Sequence, residues 1–65
     1  MKFRFDTGPF WVKIVLPDDT ELWAPSGSSI IFEAQPDDLI EVYMLEGDEW
    51  RPVEMRPARD FPTVA

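Results

Sequence analysis

Apolar and polar residues alternate most clearly over Phe10–Trp23, FWVKIVLPDDTELW. A period of two is typical of a β-strand with one buried face. Pro17 cannot donate to a β-ladder, and Asp18-Asp19-Thr20 favours a turn. The stretch therefore predicts a β-hairpin. Its inward side chains are expected to be Val12, Ile14, Leu16, Leu22 and Ala24.

Four further segments show a similar alternation and predict four more short strands. They are Met1–Asp6, Ser29–Ala34, Leu39–Leu45 and Trp50–Arg56. Pro52 places the last of these strands at the edge of a sheet, since an edge strand tolerates a missing amide donor. The inward residues are expected to be Phe3, Phe5, Ile30, Phe32, Ala34, Ile40, Val42, Met44, Val53 and Met55.

The segment Leu39–Leu45, LIEVYML, is compatible with two structures. Val42 and Tyr43 favour a strand. A helix near residues 38–46 is the alternative, with Asp37 or Asp38 as N-cap and Gly47 as the stop. Because seven residues are few for a helix, the strand is the preferred interpretation.

Together these segments predict an all-β fold of five or six short antiparallel strands. The expected architecture is a small barrel or open sheet of the SH3-like kind, and the alternative is an α+β fold with the short helix. The 65 residues suffice for one domain. That domain is expected over residues 1–57, followed by an extended tail over 58–65 from which Phe61 or Val64 folds back onto the body.

The composition excludes several kinds of chemistry. The chain contains no cysteine and no histidine, so disulfides and thiolate or imidazole metal sites are excluded. No serine lies beside a base, and nothing marks two carboxylates as a buried pair. No enzymatic activity, no cofactor and no metal site are therefore expected. No apolar run reaches the ~20 residues that cross a bilayer, and the N-terminus does not resemble a signal peptide, so a cytoplasmic protein is expected.

The net charge of −7 is unevenly distributed. Between Ile14 and Trp50 there is no Lys or Arg but ten acidic residues, whereas all six basic residues lie in the terminal segments. In an up-and-down meander, the Asp18-Asp19 and Asp37-Asp38 turns would lie at the same end of the sheet. Such an anionic surface favours association with a basic partner.

Solubility alone is the alternative explanation of the acidic span, because Asp is a common turn residue. Direct nucleic-acid binding is not expected, since a basic stripe is lacking. Calcium at the turn aspartates is not expected either, because no Asp-x-Asp-x-Asp-Gly loop is present.

Three aromatic residues are predicted on the face opposite the aliphatic core: Trp11, Trp23 and Tyr43. An exposed aromatic patch rimmed by polar groups is typical of a protein-binding site. The alternative is that these rings fill a small barrel. Together with the acidic residues they give a predicted partner-binding set of Asp18, Asp19, Glu21, Asp37, Asp38, Glu41, Trp11, Trp23 and Tyr43.

Two stretches resemble known families. LIEVYMLEGDEWRPVEM, followed by DFPTVA, is similar to the second half of an SH3 domain, although the ALYDY-type opening and the Trp-Trp pair are absent. FWVKIVLPDDTELWAP resembles the opening hairpin of the MbtH-like activators of adenylation domains. Trp50 with Met55-Arg56-Pro57 is similar to their ending, but the spacing is longer and the Gly-Trp pair and the Cys-Leu helix are missing. Neither resemblance assigns the chain to a family.

The sequence thus predicts a non-enzymatic acidic module that binds a larger basic protein. An inhibitor or modulator that occupies a nucleic-acid-binding surface fits the charge best. The first alternative is an accessory subunit that stabilises or activates an enzyme, which the MbtH resemblance implies and which requires the helix at 39–46. The second is a small structural component of a larger assembly, which requires a homo-oligomer.

Overall fold

The computed structural model describes residues 1–64. These residues form six β-strands and one 3₁₀ turn. The elements are β1 Lys2–Asp6, β2 Val12–Val15, β3 Glu21–Ala24, β4 Ser29–Glu33, β5 Leu39–Glu46, β6 Glu49–Pro57 and the 3₁₀ turn Ala58–Asp60. The prediction of a small all-β antiparallel fold is confirmed, in the open-sheet form and without a closed barrel. Over the same residues, no helix is long and apolar enough to cross a membrane.

The strands form two antiparallel sheets within residues 1–64. β1 pairs with β4, and the larger sheet has the order β3-β2-β5-β6. A simple meander is therefore the wrong topology. β4 pairs with β1 in the smaller sheet, and β5 pairs with β2 in the larger one. This crossing places strands in two layers, so that each sheet can cover the inner face of the other.

The aliphatic and phenylalanine side chains fill the space between the sheets. The predicted inward positions of the first five strands are confirmed, with Phe5, Leu16, Leu22 and Met44 only partly buried. Residues 39–46 form a strand, so the alternative helix near 38–46 is wrong. The fully buried residues Ile40 and Val42 explain this outcome, because their spacing of two puts both into the core only in a strand. The buried core consists of Phe3, Val12, Ile14, Ala24, Ile30, Phe32, Ala34, Ile40, Val42, Ala58 and Phe61.

The last strand, β6, lies at the edge of the larger sheet, as Pro52 predicted. Its inward face was predicted wrongly. Val53 and Met55 were expected in the core, but they are 50% and 61% exposed.

A β-bulge in β6 explains this difference. Glu54 pairs with Val42, whereas Pro52 pairs with the next residue of β5, Tyr43. Val53 is therefore an extra residue without a partner of its own on β5. One extra residue reverses the face of every side chain that follows it, because strand side chains alternate. After the bulge, the residues of β6 that were predicted to face the core, such as Met55, face outward.

The C-terminal segment 58–65 was predicted as an extended tail, but it begins with the 3₁₀ turn Ala58–Asp60. Ala58 is fully buried, and Phe61 is 3% exposed. The Phe61 ring lies 5.4 Å from the Phe32 ring and 5.9 Å from the Phe5 ring, both edge to face. The expected return of Phe61 onto the body is observed, and it completes the core.

The chain beyond Phe61 continues along β1. Thr63 forms an antiparallel bridge with Phe3, and the Val64 amide donates to the Lys2 carbonyl over 2.9 Å. Residues 58–64 are thus held to the body by side-chain burial and by backbone hydrogen bonds. Ala65, the last residue of the predicted tail, lies outside the described residues.

Candidate protein-binding face

The outer face of the larger sheet carries aromatic side chains from β3, β5 and β6 and from the residue that precedes β2. We call Trp11, Trp23, Tyr43 and Trp50 the aromatic face. Trp23 is 58% exposed and Trp11 is 46% exposed, while Tyr43 and Trp50 are half-buried. The prediction that Trp11, Trp23 and Tyr43 lie opposite the aliphatic core is confirmed, because the buried residues of these strands alternate with them.

The ladder register aligns three side chains of the face in one row. Lys13 on β2 pairs with Trp23 on β3 and with Tyr43 on β5. Cross-strand partners lie about 4.5–5.5 Å apart at their Cβ atoms, so these side chains are direct neighbours. Trp50 on β6 pairs with Leu45, which follows Tyr43 by two residues on β5 and therefore lies on the same face.

The indoles of Trp23 and Trp50 contact each other although they come from the two edge strands, β3 and β6. Their ring centroids are 5.5 Å apart, with an angle of 74° between the planes, an edge-to-face arrangement. In a flat sheet, β3 and β6 would be three strand spacings apart, about 14 Å. The two side chains therefore reach toward each other across β2 and β5.

The Lys13 ammonium lies within this aromatic group. Its Nζ atom is 4.9 Å from the centroid of the Tyr43 ring and 5.1 Å from that of the Trp50 ring. Both distances are within the range of cation–π attraction. Arg51, the chain neighbour of Trp50, pairs with Glu46 over 3.2 Å.

Two carboxylates of the predicted set lie next to this row on the same face. Glu21 and Glu41 are both cross-strand partners of Val15, two residues from the Lys13 row. The Tyr43 hydroxyl donates a hydrogen bond to Glu41 Oε1 over 2.8 Å. This hydrogen bond, together with burial and the negative charges of Glu41 and Glu21, raises the pKa of Tyr43 above its ordinary value.

Removing this hydrogen bond should move the pKa of Tyr43 back toward about 10. Because the folded pKa is raised, the contribution of Tyr43 to stability is present below the unfolded pKa and is lost as pH rises through the folded pKa. The chain has a single tyrosine, so the phenolate absorbance in a pH titration reports this group alone. Glu41→Ala should lower the measured pKa, and Glu33→Ala on the other sheet should not. An unchanged pKa in Glu41→Ala would contradict the hydrogen bond.

The four predicted aspartates lie in turns at the Glu21 and Glu41 end of the larger sheet. The register supports this placement, because the end of β2 and the start of β5 are antiparallel neighbours. Three of the four have a hydrogen-bond or ion-pair partner. Asp18 accepts from the Thr20 amide over 3.1 Å, and hydrogen bonds with Thr20 lower the pKa of its carboxyl.

The aspartates of the second turn are also engaged. Asp37 pairs with Arg59, and Asp38 Oδ2 accepts from the Gln35 amide over 2.9 Å. Asp19 has a left-handed backbone with φ of 69°. The side-chain contacts of Asp18 and Asp38 lie within their own turns, and Asp37 links its turn to the C-terminal segment through Arg59. Of the predicted acidic residues, Glu41 bonds directly to Tyr43, and the charges of Glu41 and Glu21 both act on Tyr43. Within the described part of the chain, no group of three or more His, Cys, Asp or Glu side chains could hold a metal ion.

A surface cavity of about 270 Å³ opens beside the bulge and extends the aromatic face toward β6. The extra residue of the bulge and the exposed Met55 give it an apolar part, and two glutamates give it a negative part. The lining residues are Glu41, Val42, Tyr43, Pro52, Val53, Glu54 and Met55.

Comparisons of the chain with protein-family models, with curated proteins and with solved structures found no significant match.

Proposed function

We propose that the chain is a non-enzymatic protein-binding module whose aromatic face contacts a basic surface of a larger protein. The observation that carries this proposal is the arrangement of that face. Trp11, Trp23, Tyr43 and Trp50 share one side of a sheet with Glu21 and Glu41. Trp and Tyr are favoured residues at the centres of protein interfaces, and the net charge of −7 favours a basic partner.

The edge of the sheet is a poorer candidate for binding than its face. β3 and β6 are the two edge strands of the larger sheet. β3 is only four residues long, and β6 combines Pro52 with the bulge at Val53. A very short strand, a proline and a bulge each hinder pairing with another strand. A partner is therefore expected to contact side chains on the face, and not to add a strand.

Within this class, the charge favours a modulator that occupies a nucleic-acid-binding surface of its partner. The acidic end of the face would then take the place of phosphates. The accessory-subunit alternative has less support, because the helix that it requires at 39–46 is the strand β5. An assembly component remains a separate hypothesis, and the mass of the protein in solution tests whether it forms the homo-oligomer required.

Affinity capture from the native cell lysate at two salt concentrations tests the proposal. At about 0.1 M and about 1 M salt the Debye length is about 10 Å and about 3 Å. We expect a basic protein, identified by mass, that is retained at the lower concentration and largely released at the higher one. Retention that does not change with salt, or an acidic bound protein, would refute the electrostatic mechanism.

Two matched glutamate variants localise the contact. Glu21→Gln removes a charge beside the aromatic face, whereas Glu33→Gln removes one from β4 of the other sheet. Glu21→Gln should weaken retention of the captured protein, and Glu33→Gln should leave it close to wild type. The opposite order would move the binding surface to the other sheet.

A further inference from the structure

We propose that Tyr43, Trp50 and Trp23 form a cage for the methylated ammonium group of a lysine side chain on the partner, and that Lys13 is its internal occupant. This inference deepens the proposed function and rests on it, because the cage lies on the same face. It adds the chemical identity of the group that the partner inserts.

The group that the cage holds in this structure indicates which ligands it can bind. Two rings already hold an alkylammonium, with Lys13 Nζ 4.9 Å from the Tyr43 centroid and 5.1 Å from the Trp50 centroid. Trp23 stands nearly perpendicular to Trp50 and is the cross-strand partner of Lys13. Aromatic rings set around one cation are the arrangement by which proteins recognise methylated ammonium groups.

Lys13 is an occupant that a ligand can displace. Its side chain is only half-buried, and its ammonium makes no salt bridge within residues 1–64. A lysine stem is flexible, so the ammonium can swing out into water without moving the strand. A primary ammonium is also strongly hydrated, and it regains that hydration when it leaves the rings.

A methylated ammonium should compete better for this cage than an unmethylated lysine does. Methyl groups replace the N–H donors, so less hydration is lost on entry and more surface contacts the rings. An unmethylated lysine of the partner has the same ammonium group as Lys13. Lys13 has the advantage in this competition, because it is already tethered beside the rings.

The surroundings favour a peptide over a lipid headgroup. Glu21 and Glu41 lie next to the cage, and their charges already act on Tyr43. These carboxylates attract the basic residues that surround a modified lysine in a basic protein. A phosphocholine headgroup carries a phosphate close to its ammonium, and the same carboxylates would repel that phosphate.

NMR titration of the ¹⁵N-labelled full chain tests the proposal with defined probes. The probes are a basic peptide with one trimethyllysine, the same peptide unmethylated, and dodecylphosphocholine below its micellar concentration. The trimethyllysine peptide should shift the indole N–H signals of Trp23 and Trp50 in a saturable manner, and its affinity should exceed that of the unmethylated peptide by at least about fivefold. Equal affinities for the two peptides, or binding of the choline probe alone, would overturn the proposal.

Lys13→Met provides the sharpest variant. It removes the internal competitor while keeping an unbranched side chain, and it should tighten binding of the trimethyllysine peptide by at least about threefold. Lys2→Met makes the same charge change on the other sheet and should leave the affinity within about twofold of wild type. Equal tightening by both variants would mean that charge alone is responsible and would refute the role of Lys13 as occupant.

Trp50→Ala removes one wall and should weaken binding of the trimethyllysine peptide by about tenfold or more. Tyr43→Phe keeps the ring and should bind within about threefold of wild type.

If no probe binds while the lysate partner is still captured in a salt-dependent way, the cage is refuted and the protein-binding function stands. If peptide binding is observed but no basic protein is captured, the cage stands and the larger proposed interface fails.

Discussion

Replacing Phe61 with alanine is expected to unfold a large fraction of the protein at room temperature. Phe61 is 3% exposed and contacts the rings of Phe5 and Phe32. The Arg56 guanidinium lies over the Phe61 ring, 4.1 Å from the ring centroid. Truncating a buried phenylalanine costs about 3–5 kcal/mol.

This cost is comparable to the whole stability of a chain of this size. At about 0.05–0.15 kcal/mol per residue, 65 residues give about 3–10 kcal/mol in total. A small domain buries a smaller share of its surface than a large one, so few other contacts compensate for the loss. The C-terminal segment is therefore part of the folding unit.

Urea denaturation followed by tryptophan fluorescence measures this effect. Phe10→Ala is the matched control, because Phe10 is 45% exposed and lies before β2. Its free energy of unfolding should change by about 1 kcal/mol or less. A fragment of residues 1–57 should resemble Phe61→Ala. A cooperative unfolding transition in that fragment, close to that of the full chain, would contradict the role assigned to Phe61.

The local strand pattern could be predicted because burial follows the side-chain alternation directly. The core contains Val12, Ile14 and Ile40, as the alternation of apolar and polar residues along their strands indicated. The prediction failed at Val53, where one inserted residue reversed the alternation. No residue type in Trp50–Arg56 marks a bulge unambiguously, since it depends on pairing with β5.

The candidate site was predictable only in part, because its central contacts join residues that are distant along the chain. The outward positions of Trp23 and Tyr43 followed from their own strands. The contact between Trp23 and Trp50, and the position of Lys13 between the rings, depend on the order β3-β2-β5-β6. Strand order is a global property, because the crossing to the second sheet is decided by burial between the layers.

The second large effect is expected on binding. Trp23→Ala should weaken capture of the basic partner by about 2 kcal/mol or more, which is about thirtyfold. Trp23 is the most exposed indole, and it also supports Trp50 through their edge-to-face contact. If the aromatic face is the contact surface, as proposed, removal of Trp23 deletes one contact with the partner and releases a second ring from its position.

The same substitution should affect folding much less than binding. An edge-to-face pair contributes about 0.5–1.5 kcal/mol beyond its burial, and a side chain that is 58% exposed leaves no closed cavity when truncated. Ile31→Ala is the matched control, because Ile31 is 48% exposed on β4 of the other sheet. Partner affinity and urea stability should be measured for both variants. If Trp23→Ala and Ile31→Ala bind the partner equally well, the aromatic face is not the contact surface. If Trp23→Ala loses affinity only in proportion to its loss of stability, its role is structural.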